Sequence, residues 1–243
     1  MTELVNNRIG IFVSCCVDQH ASETAWRMIH LLESLGLQCD YPLEFTCCGK
    51  ELYFNGDIEG ARQLAEKTLD EYRDYDYIVA CGSGCVAYMK RHFETLFRGT
   101  TRQGSYPRFL ERLYDISDFL VNVLHYTPQG VVFPHKVAIL DHCTSLRDLG
   151  LYEQPRQLLR AVEGLEIVEM EQPEVCCGFG GFFSNLYEPV STDLARRKVE
   201  NAIAAGAHYI VSTEMSCLLH LQSYIDKHNL NIQTLHLVDI LYQ

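Results

Sequence analysis

The chain has 243 residues, 47% of them hydrophobic, and 20 Lys and Arg against 32 Asp and Glu give a net charge of −12. That length suits one large domain or two of about 120 residues, and the apolar share supports a core without disulfide staples, which excludes the small cysteine-stapled secreted class. The acidity, with one short basic cluster at Arg196-Arg197-Lys198, excludes the electrostatic footprint of a nucleic-acid binder.

In chain order, Met1 to Asn7 lacks the basic start and apolar run of a signal peptide. Ile9 to Val13 is β-branched and apolar and is expected as a buried strand. Thr24 to Leu35 has apolar residues at Ala25, Met28, Ile29, Leu32 and Leu35, a helical spacing that Gly36 ends. A short strand is expected near Cys39 to Tyr41, and Cys47-Cys48-Gly49 falls in a loop. Ile58 to Tyr72 reads as an amphipathic helix capped by Asp57. Asp76 to Ala80 is the next strand. It turns through Gly82-Ser83-Gly84 into a helix from about Cys85 to Phe97. A helical segment around Tyr114 to Leu124 has no obvious later copy, and a connector is expected near Thr127-Pro128-Gln129-Gly130. The second half repeats the order, with strands at 137–141, 166–170 and 208–212 and helices at about 155–162, 190–205 and 217–228. A last strand is expected over Ile232 to Leu237. No apolar stretch approaches the ~20 residues that span a bilayer.

The halves can be laid on each other. Arg8 to Cys15 parallels Lys136 to Cys143, and Tyr77-Ile78-Val79 leads to Cys85 as Tyr209-Ile210-Val211 leads to Cys217. A period of roughly 130 residues is far longer than any solenoid repeat. Two tandem homologous α/β domains are expected, 1–130 and 131–243, each Rossmann-like with a mainly parallel sheet. The cysteines then fall at the carboxyl ends of the strands, where open α/β sheets bind ligands.

The tripeptide Cys-Cys-Gly occurs twice, at Cys47-Cys48-Gly49 and Cys176-Cys177-Gly178. Cys15 precedes the first pair by 31 intervening residues and Cys85 follows it by 36; for Cys143 and Cys217 around the second pair the gaps are 32 and 39. Eleven cysteines without an export signal point to the cytoplasm, where thiols stay reduced and bind metals. Thiolates select zinc, copper(I) or iron–sulfur clusters. Structural zinc sites space their ligands by two to four residues, so adjacent cysteines suit a polynuclear cluster better. Cys39 reads as core, Cys16 has no counterpart, and Cys81 is a candidate fifth ligand of the first site. His142 and Glu214 are candidates to ligate or tune the second. No strand is followed by Gly-x-Gly-x-x-Gly, and no Walker lysine motif occurs.

These two Cys … Cys-Cys-Gly … Cys patterns resemble the cysteine-rich, or CCG, domain family, which includes the cysteine-rich component of heterodisulfide reductase and iron–sulfur subunits of glycolate oxidase. Cys176-Cys177-Gly178-Phe179-Gly180-Gly181 and Ser216-Cys217-Leu218-Leu219 are especially similar to the subgroup serving L-lactate oxidation. The resemblance implies one ligand set of Cys15, Cys47, Cys48 and Cys85, and another of Cys143, Cys176, Cys177 and Cys217. It implies two [4Fe–4S] clusters, with zinc an alternative at one site. It implies an oxidoreductase subunit that relays electrons within an iron–sulfur complex oxidising L-lactate or another 2-hydroxy acid, with the other subunits as partners. Heterodisulfide reductase members end each motif in Cys-x-x-Cys. Here Gly82 and Glu214 stand in the place of the missing cysteine, which argues against a five-thiolate noncubane cluster. The rival readings are a cluster-based catalytic subunit of heterodisulfide-reductase type and a zinc-binding scaffold.

Overall fold

A computed structural model describes residues 7–42, 44 and 47–242, which pack as two compact units divided between Phe119 and Leu120. In the first, β1 (Arg8–Phe12) is followed by α1 (Cys15–His20), α2 (Ser22–Ser34), β2 (Gln38–Asp40), α3 (Lys50–Phe54) and α4 (Ile58–Glu71). Then come β3 (Tyr77–Ala80), α5 (Ser83–Phe97), α6 (Tyr106–Glu111), β4 (Leu113–Asp115) and α7 (Ile116–Asp118). The sheet order is β2-β1-β3-β4 and every pairing is parallel, with Ile9 opposite Tyr77 and Ile78 opposite Leu113. Strands buried on both faces read as unbroken apolar runs, and Ile9, Ile11, Phe12, Ile78, Val79 and Ala80 are all fully buried.

A π-helical stretch, Phe119–Val123, precedes the second unit's β5 (Lys136–Ile139), α8 (Cys143–Asp148), α9 (Glu153–Arg160) and β6 (Glu166–Ile167). Next are α10 (Phe182–Leu186), α11 (Glu188–Ala204), β7 (Tyr209–Ser212), α12 (Met215–His228), β8 (Gln233–His236) and α13 (Leu237–Leu241). Its order, β6-β5-β7-β8, is again wholly parallel and repeats that of the first unit. The expected α/β class with two Rossmann-like parallel sheets is therefore present. Each order reverses direction between its first and third strands, β1/β3 and β5/β7, and such a switch point opens a crevice at the carboxyl edge. No helix among the described residues is long and apolar enough to cross a membrane.

Three local expectations need correction. The helix expected around Tyr114 to Leu124 begins as strand β4, because Leu113 and Tyr114 pair with Ile78 and Val79 before any helical turn starts. It also has a copy, β8. Both strands end in a buried residue that caps the next helix: Asp115 accepts from the Ser117 N–H at 2.8 Å and His236 Nδ1 accepts from the Val238 N–H at 3.2 Å. The strand expected at 166–170 is only Glu166–Ile167, since Val168 makes its last bond to β5 and the chain then leaves the edge. Finally, the short helices α1, α3, α8 and α10 have no counterpart among the expected elements. Each is too brief to show a 3.6-residue period.

His236 supplies a pH test. Burial, outweighing the nearby carboxylates of Asp239 and Glu214, pushes its imidazole below the ordinary 6.5. The unfolded chain therefore takes up the proton first as pH falls, so this contribution is present above about pH 6.5 and is lost on the acid side. We expect His236→Asn, which keeps a capping acceptor as Asp115 does, to flatten that acid limb in melts between about pH 7 and 5. An acid limb as steep as the wild type's would refute the assignment.

Candidate metal centres

Each unit brings its four motif cysteines to the carboxyl edge of its sheet. In the first, Cys15 follows β1 and opens α1, whose cap Ser14 accepts from the Val17 N–H at 3.3 Å. Cys47 and Cys48 lie in the crossover after β2, and Cys85 sits in the first turn of α5, after β3. The Cys15 and Cys47 Sγ atoms are 3.9 Å apart. Thiol contacts continue from Cys47 to Cys48 and from Cys48 to Cys85, making one string. Cys48 and Cys85 are buried, and Cys15 and Cys47 are partly open to solvent.

The second unit repeats this. Cys143 opens α8, Cys176 and Cys177 follow β6, and Cys217 lies in the first turn of α12. Contacts run from Cys143 to Cys176 to Cys177, and the Cys177 and Cys217 Sγ atoms are 2.8 Å apart. In both strings the neighbouring thiols pull the first cysteine of the pair down. Hydrogen bonding with Cys15, then with Cys48, lowers Cys47 to about 2. That with Cys143, then with Cys177, lowers Cys176 to about 2. Their partners Cys15, Cys48, Cys143 and Cys177 are correspondingly raised. A hydrogen bond from Cys177, helped by His142, lowers Cys217 to about 6 against its burial.

The glycine of each pair is required by backbone geometry. Gly49 and Gly178 have φ of +87° and +93°, in the left-handed region. A Cβ on Gly49 would lie 3.2 Å from the Ala61 carbonyl oxygen of α4, and one on Gly178 would collide with the Ser191 carbonyl oxygen of α11. The Cys-Cys loop thus lies directly on a helix. Ser191 Oγ reinforces the contact by donating to the Gly178 carbonyl at 2.8 Å.

The donor set fits a sulfur-rich metal group. Four soft thiol donors stand together in each unit, two from one loop that can address different metal atoms. Beside the first string, the buried Tyr88 hydroxyl has no hydrogen-bond partner among the described residues. Burial first, and then Cys48, raise Tyr88. It is a spare donor facing thiols. His220 occupies the matching place in the second unit, within 3.2 Å of Ser191 Oγ and lowered by burial. Among the described residues, no three His, Cys, Asp or Glu side chains are grouped to hold a single ion.

The remaining candidates fall as follows. Cys81 directly follows β3, fully buried, and its N–H donates to the Phe12 carbonyl at 3.1 Å. Cys39, on edge strand β2, and Cys16 are half-buried, and burial raises Cys39 to about 12. Glu214 is buried and accepts from Ser216 Oγ at 2.6 Å, and with His142 it acts on Cys217.

Two residues near the second site are absent from the sequence-based candidates. Arg156, 1% exposed, forms a two-pronged pair with Asp141 at 2.7 and 2.8 Å and reaches Glu169 at 3.3 Å. It ties the turn before Cys143 to the segment entering the Cys176 loop. Lys198 is buried under that loop. A signal for Lys198 existed: it lies on the buried stripe of α11 with Ser191, Ala195, Val199 and Ala202.

The cysteine-rich domain profile matches this chain at residues 9–90 and 137–222. The chain belongs to the cysteine-rich, or CCG, domain family, with two copies of the domain in tandem. Its relatives include Lactate utilization protein A of Geobacillus thermodenitrificans (strain NG80-2), 31% identical over 235 residues, covering 96% of this chain and 98% of the relative. Lactate utilization protein A 1 of Bacillus cereus (strain AH820) is 30% identical with the same coverage of both. A crystal structure of a hypothetical protein from Helicobacter pylori shares the fold, with a TM-score of 0.68 at 9% identity. It covers 97% of this chain, and this chain spans 48% of it.

Proposed function

We propose that the chain is an iron–sulfur electron-transfer subunit of an L-lactate, or 2-hydroxy acid, oxidation system. Cys15, Cys47, Cys48 and Cys85 would hold one [4Fe–4S] cluster and Cys143, Cys176, Cys177 and Cys217 the other. The observation that carries this reading is the pair of four-thiol strings, each at the carboxyl edge of a parallel sheet. A cluster bound there would supply one-electron transfer at a potential set by its surroundings. The chain's own part is to present thiolates, to hold the Cys-Cys loops on α4 and α11, and to offer donors such as Tyr88 to sulfur. Lactate, and a role among other subunits, come from the names of the relatives.

One observation favours a second reading. His142 and Glu214 act on Cys217, whereas the matching first-unit residues are Ser14 and Gly82. That asymmetry suits a catalytic second site. Iron, acid-labile sulfide and zinc should be measured per chain on protein purified without oxygen. About eight irons and eight sulfides are expected for two [4Fe–4S] clusters. Zinc without sulfide would sink the redox role and leave a scaffold. A second-site EPR signal that shifts when lactate is added would favour the catalytic reading over the relay.

A further inference from the structure

Helix α11 fastens the loop that carries the second Cys-Cys pair at three points. Asn201 Oδ1 accepts from the Glu171 N–H at 2.9 Å, Lys198 Nζ donates to the Pro173 carbonyl at 2.8 Å and to that of Gln172 at 3.4 Å, and Ser191 holds Gly178. The middle point is unusual. Lys198 is 0% exposed, and its hydrogen bonds go to neutral carbonyls. Its neighbours Arg196 and Arg197 face outward and pair with Asp193 and Glu200. Taking an ammonium out of water is unfavourable unless negative charge lies close by.

Asp141 is engaged by Arg156, and Glu214 accepts from Ser216. Burial lowers the Lys198 ammonium; Cys177, then the already engaged Asp141, and then Cys176 and Cys217 act against that, so beside the Arg156-bound Asp141 it is the sulfur string that faces Lys198. Among the described residues, the first unit lacks the feature. The register that lays Gly178, Ser191 and Leu194 on Gly49, Ala61 and Leu64 lays Lys198 on Thr68, a buried hydroxyl that donates back to the Leu64 carbonyl at 2.9 Å. The cation acting on the first string is Lys50, with a quarter of its side chain in solvent, where screening weakens it.

We propose that Lys198 is the internal counter-ion of the second thiolate site: its buried charge balances a bound anionic metal–thiolate group and raises that site's reduction potential. The inference rests on the iron–sulfur reading above. Lys198 touches no reacting atom and is a positioning residue. Reduction adds negative charge to the site, and a fixed cation favours the reduced form by an amount that poorly screened surroundings preserve.

The test is an anaerobic potentiometric titration followed by EPR, the second site being identified as the signal missing from Cys176→Ser. Lys198→Gln keeps an N–H for the two carbonyls and removes the charge, and Lys198→Arg keeps the charge. In Lys198→Gln the second site's reduction equilibrium should weaken about tenfold, or about 59 mV for one electron. Lys198→Arg should leave it in place, and the first site should move in neither. Loss of second-site iron in Lys198→Gln but not in Lys198→Arg also supports the counter-ion role. An unchanged midpoint in Lys198→Gln with full iron overturns it, as does iron loss in both variants, which would make Lys198 only a tie for the loop. Wild-type protein without iron and sulfide in its second unit is read before any variant and defeats the parent reading, and this inference with it.

Discussion

Cys176→Ser is expected to remove about one cluster's iron, close to half the total, while leaving the first unit's share in place. Cys47→Ser should do the reverse. The effect is large because of where these cysteines stand in their strings. Each touches two other thiols, and those contacts lower it. A serine hydroxyl is a hard donor that keeps its proton at neutral pH, so the site loses its best-prepared soft ligand. Cys176 is also exposed at the surface, so its replacement leaves the core intact and the fold should survive. Iron and sulfide per chain, read beside far-UV circular dichroism, check this. Full iron in a folded Cys176→Ser protein would remove Cys176 from the ligand set.

Arg156→Met should cost about 3–5 kcal/mol of stability, the usual penalty for stranding one member of a buried pair. Asp141 is the stranded partner, with its side chain 3% exposed, and Glu169, half exposed, remains near solvent. Burial alone would lower the guanidinium's affinity for its proton; Asp141 and then Glu169 more than reverse this. The Arg156 carbon centre also lies 3.7 Å from the Tyr152 ring centroid, a cation–π contact that methionine loses. The first unit shows the alternative. Its matching residue, just after β1, is the buried Val13, and no arginine is buried there among the described residues. Pairing Asp141→Val with Arg156→Met should therefore recover most of the loss. Denaturant melts of the two single variants and the double variant measure the coupling, and equal costs for the single and the double would refute it.

Much of the fold was legible because the chain states its plan twice. Ile9 to Val13 against Val137 to Asp141, and Tyr77-Ile78-Val79 against Tyr209-Ile210-Val211, mark the central strands by apolar runs alone. Edge strands were harder. Gln38–Asp40 and Glu166–Ile167 are short and half exposed, so their side chains carry little burial signal. Leu113–Asp115 was hidden by the helical residues after it. The cysteines stand out in the sequence because Cys-Cys-Gly is rare. Arg156 and Lys198 do not, because charged residues in helices usually face water, and only their position on a buried stripe tells otherwise. The outward Arg196 and Arg197 disguised Lys198 as part of a surface cluster.

The arrangement of each site in the chain also has a consequence for the order in which the protein matures. The thiols of one string come from three separate crossovers, after β1, β2 and β3 or after β5, β6 and β7. Parallel strands meet only through long loops, which makes such pairings slow and late. A small zinc domain can use its ion to nucleate the fold because its ligands are neighbours in sequence. Here the ligands lie far apart in sequence, so on the proposed reading the sheet would form first and the inorganic group would enter a finished mould. On the iron–sulfur reading proposed above, the centres would accordingly be open to stripping and reloading on a folded chain, and supply of iron and sulfide, rather than folding, would set how much of the protein becomes competent.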